Sequence, residues 1–98
     1  MILEIATLNI KPGAEKAFEE DLAHASHLIA SIPGYIGHSL RRCVETPNKY
    51  NLLVEWEDVD AHMVGFRESQ EYKKWSEILS PHYLPERSME HFELVYTH

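Results

Sequence analysis

The stretch Val54–Tyr83, VEWEDVDAHMVGFRESQEYKKWSEILSPHY, decides the fold. It opens as the end of an alternating strand, with Tyr50, Leu52, Val54 and Trp56 on one face and Asn51, Leu53, Glu55 and Glu57 on the other. At Glu57-Asp58 the pattern turns helical. A helix is predicted from Asp58 to about Glu68, with Asp58 or Asp60 as its cap. Ser69 offers a fresh N-cap, so a second helix starts there at an angle, carries Tyr72, Trp75 and Leu79 on one face, and stops at Pro81. An inner stripe of His, Phe, Tyr and Trp is an unusual lining for helices whose only task is packing. Any reactive pocket is expected to use this stretch as a wall.

The rest of the chain supplies what this stretch packs against. Ile2 to Ile10 reads as a strand, with Ile2, Ala6, Leu8 and Ile10 on one face, Glu4 the exception there, and Leu3 and Ile5 on the other. Lys11-Pro12-Gly13 turns the chain. Ala14 to Ser31 reads as a helix whose stripe is Phe18, Leu22, Ala25, Ile29 and Ile32, closed by Ile32-Pro33-Gly34. Tyr35 to Glu45 is a second strand, Thr46 to Lys49 a hairpin-type turn, and Tyr50 to Glu57 the third strand. A loop with Pro85 leads to a last strand, Ser88 to Tyr96. The order is β-α-β-β-α-β, an α+β, ferredoxin-like domain with a four-stranded antiparallel sheet and both helices on one face. The bare sheet face needs cover, so a homodimer through that face is expected.

Ninety-eight residues leave room for one domain, residues 1–98. The chain is 44% hydrophobic and 26% charged, an ordinary globular composition. Nine Lys and Arg against 16 Asp and Glu give a net charge of −7, which argues against nucleic acid and anionic membrane partners. No basic start, apolar leader or membrane-length run occurs, so a cytoplasmic protein is expected. One cysteine, Cys43, excludes an internal disulfide and a cysteine-based zinc site, and reads as a small buried hydrophobe. Among seven histidines, His24 and His27 have a metal-compatible spacing. Two histidines alone make a weak site, so no metal is expected.

The ending Ile10-Lys11-Pro12-Gly13, the turn Ile32-Pro33-Gly34-Tyr35, and Val54-Glu55-Trp56-Glu57 followed by Ala61-His62 resemble the antibiotic biosynthesis monooxygenase family, as does Gly65 to Trp75. The resemblance covers the whole chain. It implies a dimeric α/β barrel and oxidation of phenolic or quinol-like substrates by molecular oxygen without metal or flavin. A related branch binds and degrades haem. Of the histidines that the quinol-oxidising branch carries on the helix pair, only His62 is matched, with Phe66 and Glu71 standing in the same region. The haem branch's Asn-Trp-His set falls on Ala6, Phe66 and Ser76 and is not matched.

Oxygenation without a cofactor needs a base for a phenolic proton, a group that stabilises the anion, and an apolar wall that excludes water. His62 is the candidate base; otherwise it is an ordinary helical histidine. Arg67 or His91 would stabilise the anion; the alternatives are an ion pair of Arg67 with Glu68 and a cross-strand Glu partner for His91. Phe66, Tyr72 and Trp75 are candidate substrate walls or plain packing, and His82 and Tyr83 a candidate cover over the mouth. Three functions compete: a cofactor-independent monooxygenase of a small aromatic molecule, a haem-binding or haem-degrading protein, and a non-catalytic dimeric module for a small apolar ligand.

Overall fold

The computed structural model describes residues 1–98. Strand β1 (Ile2–Ile10) is followed by helix α1 (Glu15–Ala30), strands β2 (Tyr35–Arg42) and β3 (Lys49–Trp56), a π-helical turn (Ala61–Phe66), helix α2 (Gln70–Leu79), a 3-10 turn (Ser80–His82) and strand β4 (Tyr83–Glu93). The sheet is antiparallel throughout, in the order β2-β3-β1-β4. This is the expected ferredoxin-like βαββαβ arrangement, with the long strand β1 at its centre.

Alternation in β1 buries Glu4, Ala6, Leu8 and Ile10 and leaves Leu3, Ile5 and Thr7 on the uncovered face. Tyr50, Leu52, Val54 and Trp56 of β3 join the buried face. The stripe of α1 packs onto it through Phe18, Leu22, Ala25, Leu28 and Ile29, and Trp75 and Leu79 of α2 close the layer. Burying a side chain of this kind stabilises by about 1.5–3 kcal/mol, which holds the layer against chain entropy.

Gly34 fixes how the turn between α1 and β2 packs against the π-helical turn. Its φ is +92°, and a Cβ there would lie 2.6 Å from Ala61 Cβ. Only glycine accepts both the left-handed backbone and the contact.

The structure departs from the sequence reading in four places. The helix expected from Asp58 to Glu68 is wound as a π-helix over Ala61–Phe66, where Arg67 N–H reaches His62 O at 2.9 Å. Asp58 caps it by accepting Ala61 N–H at 2.8 Å, while Ser69 caps α2 by accepting Tyr72 N–H at 3.0 Å, as read. Strand β4 starts at Tyr83 rather than Ser88. The register slips between Leu8 and Ile10, and Pro85, which has no N–H to give the ladder, sits in that irregularity. The strand ends at Glu93 because Glu93 already pairs with Ile2, the first residue of β1; Leu94, Val95 and Tyr96 are exposed. Finally, β2 stops at Arg42, which leaves Cys43 half-buried in the connection, its thiol 3.6 Å from a Glu45 oxygen, and not a core hydrophobe.

Candidate functional site

A carboxylate inside an apolar strand face is the feature from which the site is built. Glu4 is 6% exposed. Taking a carboxylate out of water without partners costs several kcal/mol, so its neighbours are informative. In the β1–β3 register Ile2 lies opposite Trp56, which puts the indole diagonal to Glu4. Trp56 Nε1–H donates to Glu4 Oε1 at 3.0 Å. The π-helical turn lays the ring of His62 on the indole, centroids 5.3 Å apart and planes within 19°, and brings His62 Nε2 to 3.4 Å from the same Oε1.

The β1–β4 register places His91 directly opposite Glu4. From there His91 Nε2 lies 2.8 Å from His62 Nδ1. Glu4 and His91 therefore address different nitrogens of one imidazole. The three groups stand in line and do not converge on a point, so they form no metal cage. Oε1 accepts from Trp56, and the hydrogen bond made by the imidazole is the one between its Nδ1 and His91 Nε2.

Burial lowers the His62 pKa to about 4, helped by the charges of His91 and Arg67, so His62 is neutral at pH 7. Burial also raises the Glu4 pKa above 4.5, opposed by the Trp56 hydrogen bond and the Arg67 charge. Tyr83 is pushed up to about 12, mainly by burial, and remains a phenol.

Glu4 and His62 of this row line a cavity of about 360 Å³ between the sheet and the π-helix–α2 stretch. Ala6, Leu8, Leu52, Phe66 and Trp75 give it apolar sides, and Glu4 and His62 are its buried polar groups. Arg67 and Arg87, both exposed, border it where it meets solvent. Each guanidinium lies over a wall tyrosine: Arg67 is 5.0 Å from the Tyr72 centroid and Arg87 5.4 Å from that of Tyr83. The volume suits a small aromatic molecule, within the usual range for ligand pockets of about 300–1,000 Å³.

Of the residues singled out in the sequence, His62, Phe66, Arg67, Tyr72, Trp75 and Tyr83 line this cavity. His91 stands behind His62, and its partner is that histidine rather than a cross-strand carboxylate. Arg67 makes no ion pair with Glu68; it stacks on Tyr72. His82 is not among the residues of the cavity wall and is held at 2.8 Å by Asp21 of α1. His24 and His27 are exposed, and His27 Nδ1 lies 2.9 Å from the His24 carbonyl. Glu4 and Arg87 were not anticipated. The signal for Glu4 was its break in the β1 alternation; Arg87 was hidden by the misplaced start of β4.

His38 belongs to a separate cluster, with Tyr35 Oη on Nδ1 and Ser26 Oγ 3.0 Å from Nε2. Ser26 donates its own proton to the Leu22 carbonyl at 2.9 Å, so it accepts from His38 and is not an activated nucleophile. The cluster ties α1 to β2.

The fold is that of a ferredoxin-like α+β domain, a βαββαβ sheet with an aromatic-walled cavity between the sheet and its helical layer. Residues 1–78 match the model of the antibiotic biosynthesis monooxygenase family, and the chain belongs to that family. An uncharacterised Bacillus subtilis protein, YczJ, is 45% identical over 95 residues, spanning 97% of this chain and all of that protein. A mycobilin-producing heme oxygenase of Mycobacterium tuberculosis is 28% identical over 60 residues, 61% of this chain and 57% of that protein. Among solved structures, a putative antibiotic biosynthesis monooxygenase from Bordetella bronchiseptica superposes with a TM-score of 0.94 at 36% identity, covering 97% of both chains. SnoaB, a cofactor-independent oxygenase from Streptomyces nogalater, superposes with a TM-score of 0.80 at 22% identity, covering 98% of this chain and 94% of that one, a likeness of fold. No helix is long and apolar enough to cross a membrane.

Proposed function

We propose that the protein is a cofactor-independent monooxygenase of a small phenolic or quinol-like molecule. The observation that carries this reading is the polarity of the cavity: a desolvated His62–Glu4 pair at its buried end, aromatic sides, and arginines at its mouth. A phenol enters with its ring against Phe66, Tyr72 and Trp75. Its proton is taken at the His62 end. The resulting anion is stabilised by Arg67, with His91 supporting His62. The electron-rich anion then reacts with molecular oxygen. One oxygen atom enters the substrate and the other leaves as water, so the reducing electrons come from the substrate itself. Family membership supports the reaction class, and the apolar walls support exclusion of water.

Haem degradation, the activity of the mycobacterial relative, is a poorer fit. Haem iron needs an axial ligand. His62, the histidine of the cavity wall, has one ring nitrogen on His91 and the other against Glu4. The Tyr83 hydroxyl is held protonated. The residues present do not fit axial ligation without dismantling the row.

Uptake of oxygen by metal-free protein, measured against quinols, anthrones and polyphenols, tests the assignment. We expect uptake that survives chelators and falls in His62→Ala. Tight binding of these compounds with no uptake would instead identify a ligand-binding module. Within the same reading, Leu3, Ile5, Leu53 and Phe92 form the apolar part of the uncovered sheet face and support pairing with a second copy. A single-chain mass in equilibrium sedimentation would refute that pairing.

A further inference from the structure

We propose that Glu4 is the residue that takes the ligand's proton, through Oε2, and that His62 is a positioning residue which holds the carboxylate from behind. This rests on the reading of the occupant as a phenol and names the accepting atom within it.

The assignment follows from where the lone pairs point. Glu4 Oε1 is occupied by Trp56 Nε1–H and faced by His62 Nε2. Oε2 takes part in no hydrogen bond, yet no buried side-chain polar atom is without a partner. The exposed fraction of the carboxylate is therefore Oε2, and Glu4 is part of the cavity wall. Of the two His62 nitrogens, Nδ1 is bonded to His91, and Nε2 lies 3.4 Å from Oε1, the oxygen that the indole already occupies. Trp56 Nε1–H donates to Glu4 and His62 Nε2 lies against the same oxygen, so the carboxylate is the acceptor on which these contacts converge.

Charge movement favours the same direction. When the phenolic O–H breaks and Oε2–H forms, the electron pair stays on the phenolate oxygen. The desolvated floor loses its negative charge, and the anion appears on the ligand, nearer Arg67 and Arg87. Burial already raises the proton affinity of Glu4. The titratable and charged groups around it are His62 and Arg67 of the π-helical turn and its edge, His91, Arg87 and Tyr83 of β4, and Tyr72 of α2; β3 contributes only the indole.

The test uses the full chain with 4-nitrophenol, whose phenolate absorbs in the visible, in the wild type and in Glu4→Gln, Glu4→Asp and His62→Gln. We expect bound phenolate in the wild type, none in Glu4→Gln, a partial band in Glu4→Asp, and in His62→Gln a band that persists with a displaced pH profile. Turnover, where present, falls by about 10²–10⁴-fold in Glu4→Gln, the usual worth of a general base. Should Glu4→Gln fail to fold, Glu4→Asp against His62→Gln decides. Phenolate retained without Glu4 and lost without His62 overturns the proposal, as does nitrophenol that stays neutral or does not bind to the wild type. Oxygen uptake is read separately. Uptake that survives Glu4→Gln overturns the acceptor and spares the oxygenase reading, whereas bound phenolate with no uptake from any substrate does the reverse.

Discussion

Acidification from pH 7 to pH 4 is expected to weaken this fold through His62 in particular. The imidazole is 3% exposed and held at about 4 instead of 6.5. Between those values the unfolded chain binds a proton there and the folded chain does not, so stability rises with pH across the window and is lost as pH falls through it. At about 1.4 kcal/mol per pH unit the full effect is about 3 kcal/mol, a large part of the roughly 5–15 kcal/mol that holds a domain together. Glu4 acts in the opposite sense. Its folded pKa is raised, so its contribution is present at low pH and is lost as pH rises above 4.5 toward the folded value. The wild type therefore shows a damped pH dependence. The lowered pKa of His38 adds loss of the same sign as His62. Comparison with His62→Gln at equal protein concentration cancels the Glu4 and His38 contributions to first order. Urea denaturation at pH 7, 6, 5 and 4 should show the stability of the wild type relative to His62→Gln falling by about 3 kcal/mol across the series. A difference that stays constant with pH would mean that His62 is not buried neutral, and the description of the row would be wrong.

Trp56→Phe keeps the aromatic bulk but removes the N–H that holds Glu4 Oε1. Leaving that buried acceptor short of a donor is expected to cost about 1–3 kcal/mol in a denaturant melt, and a neutral result would show that water replaces the indole. Gly34→Ala meets both a φ of +92° and a Cβ contact of 2.6 Å with Ala61. We expect destabilisation of at least about 1 kcal/mol by thermal melting, with rearrangement at the π-helical turn; an unchanged melting temperature would show that the turn yields freely.

What was legible in the sequence follows from how local each feature is. The stripe Phe18, Leu22, Ala25, Ile29 and Ile32 is buried to the last residue, because helical periodicity is written in consecutive positions of one segment. Ser69 as a cap was readable for the same reason: it needs only its own backbone and the next turn. The π-helical winding was not. A π turn differs from an α turn by one residue per hydrogen bond, and the apolar spacing of His62 and Phe66 satisfies either. The start of β4 was missed because Pro85 forbids a ladder hydrogen bond, and the sequence does not tell a loop from a strand that tolerates an irregularity.

The row of Glu4, His62 and His91 marks the limit of one-dimensional reading most clearly. Its members come from β1, the π-helical turn and β4, and they meet because Glu4 and His91 are opposite in register while Trp56 lies diagonal to Glu4. A one-residue slip of β4 against β1 would turn His91 to the uncovered face and leave His62 Nδ1 without its partner. The sequence did carry one trace of this arrangement, a lone carboxylate among Ile2, Ala6, Leu8 and Ile10. A charged residue at that position has two readings, an error of pattern or a buried functional group, and local composition does not separate them. The burial of Glu4 together with an indole N–H and an imidazole against one of its oxygens supports the second, as proposed above, because a fold that needed only packing would be more stable with an apolar residue in that place.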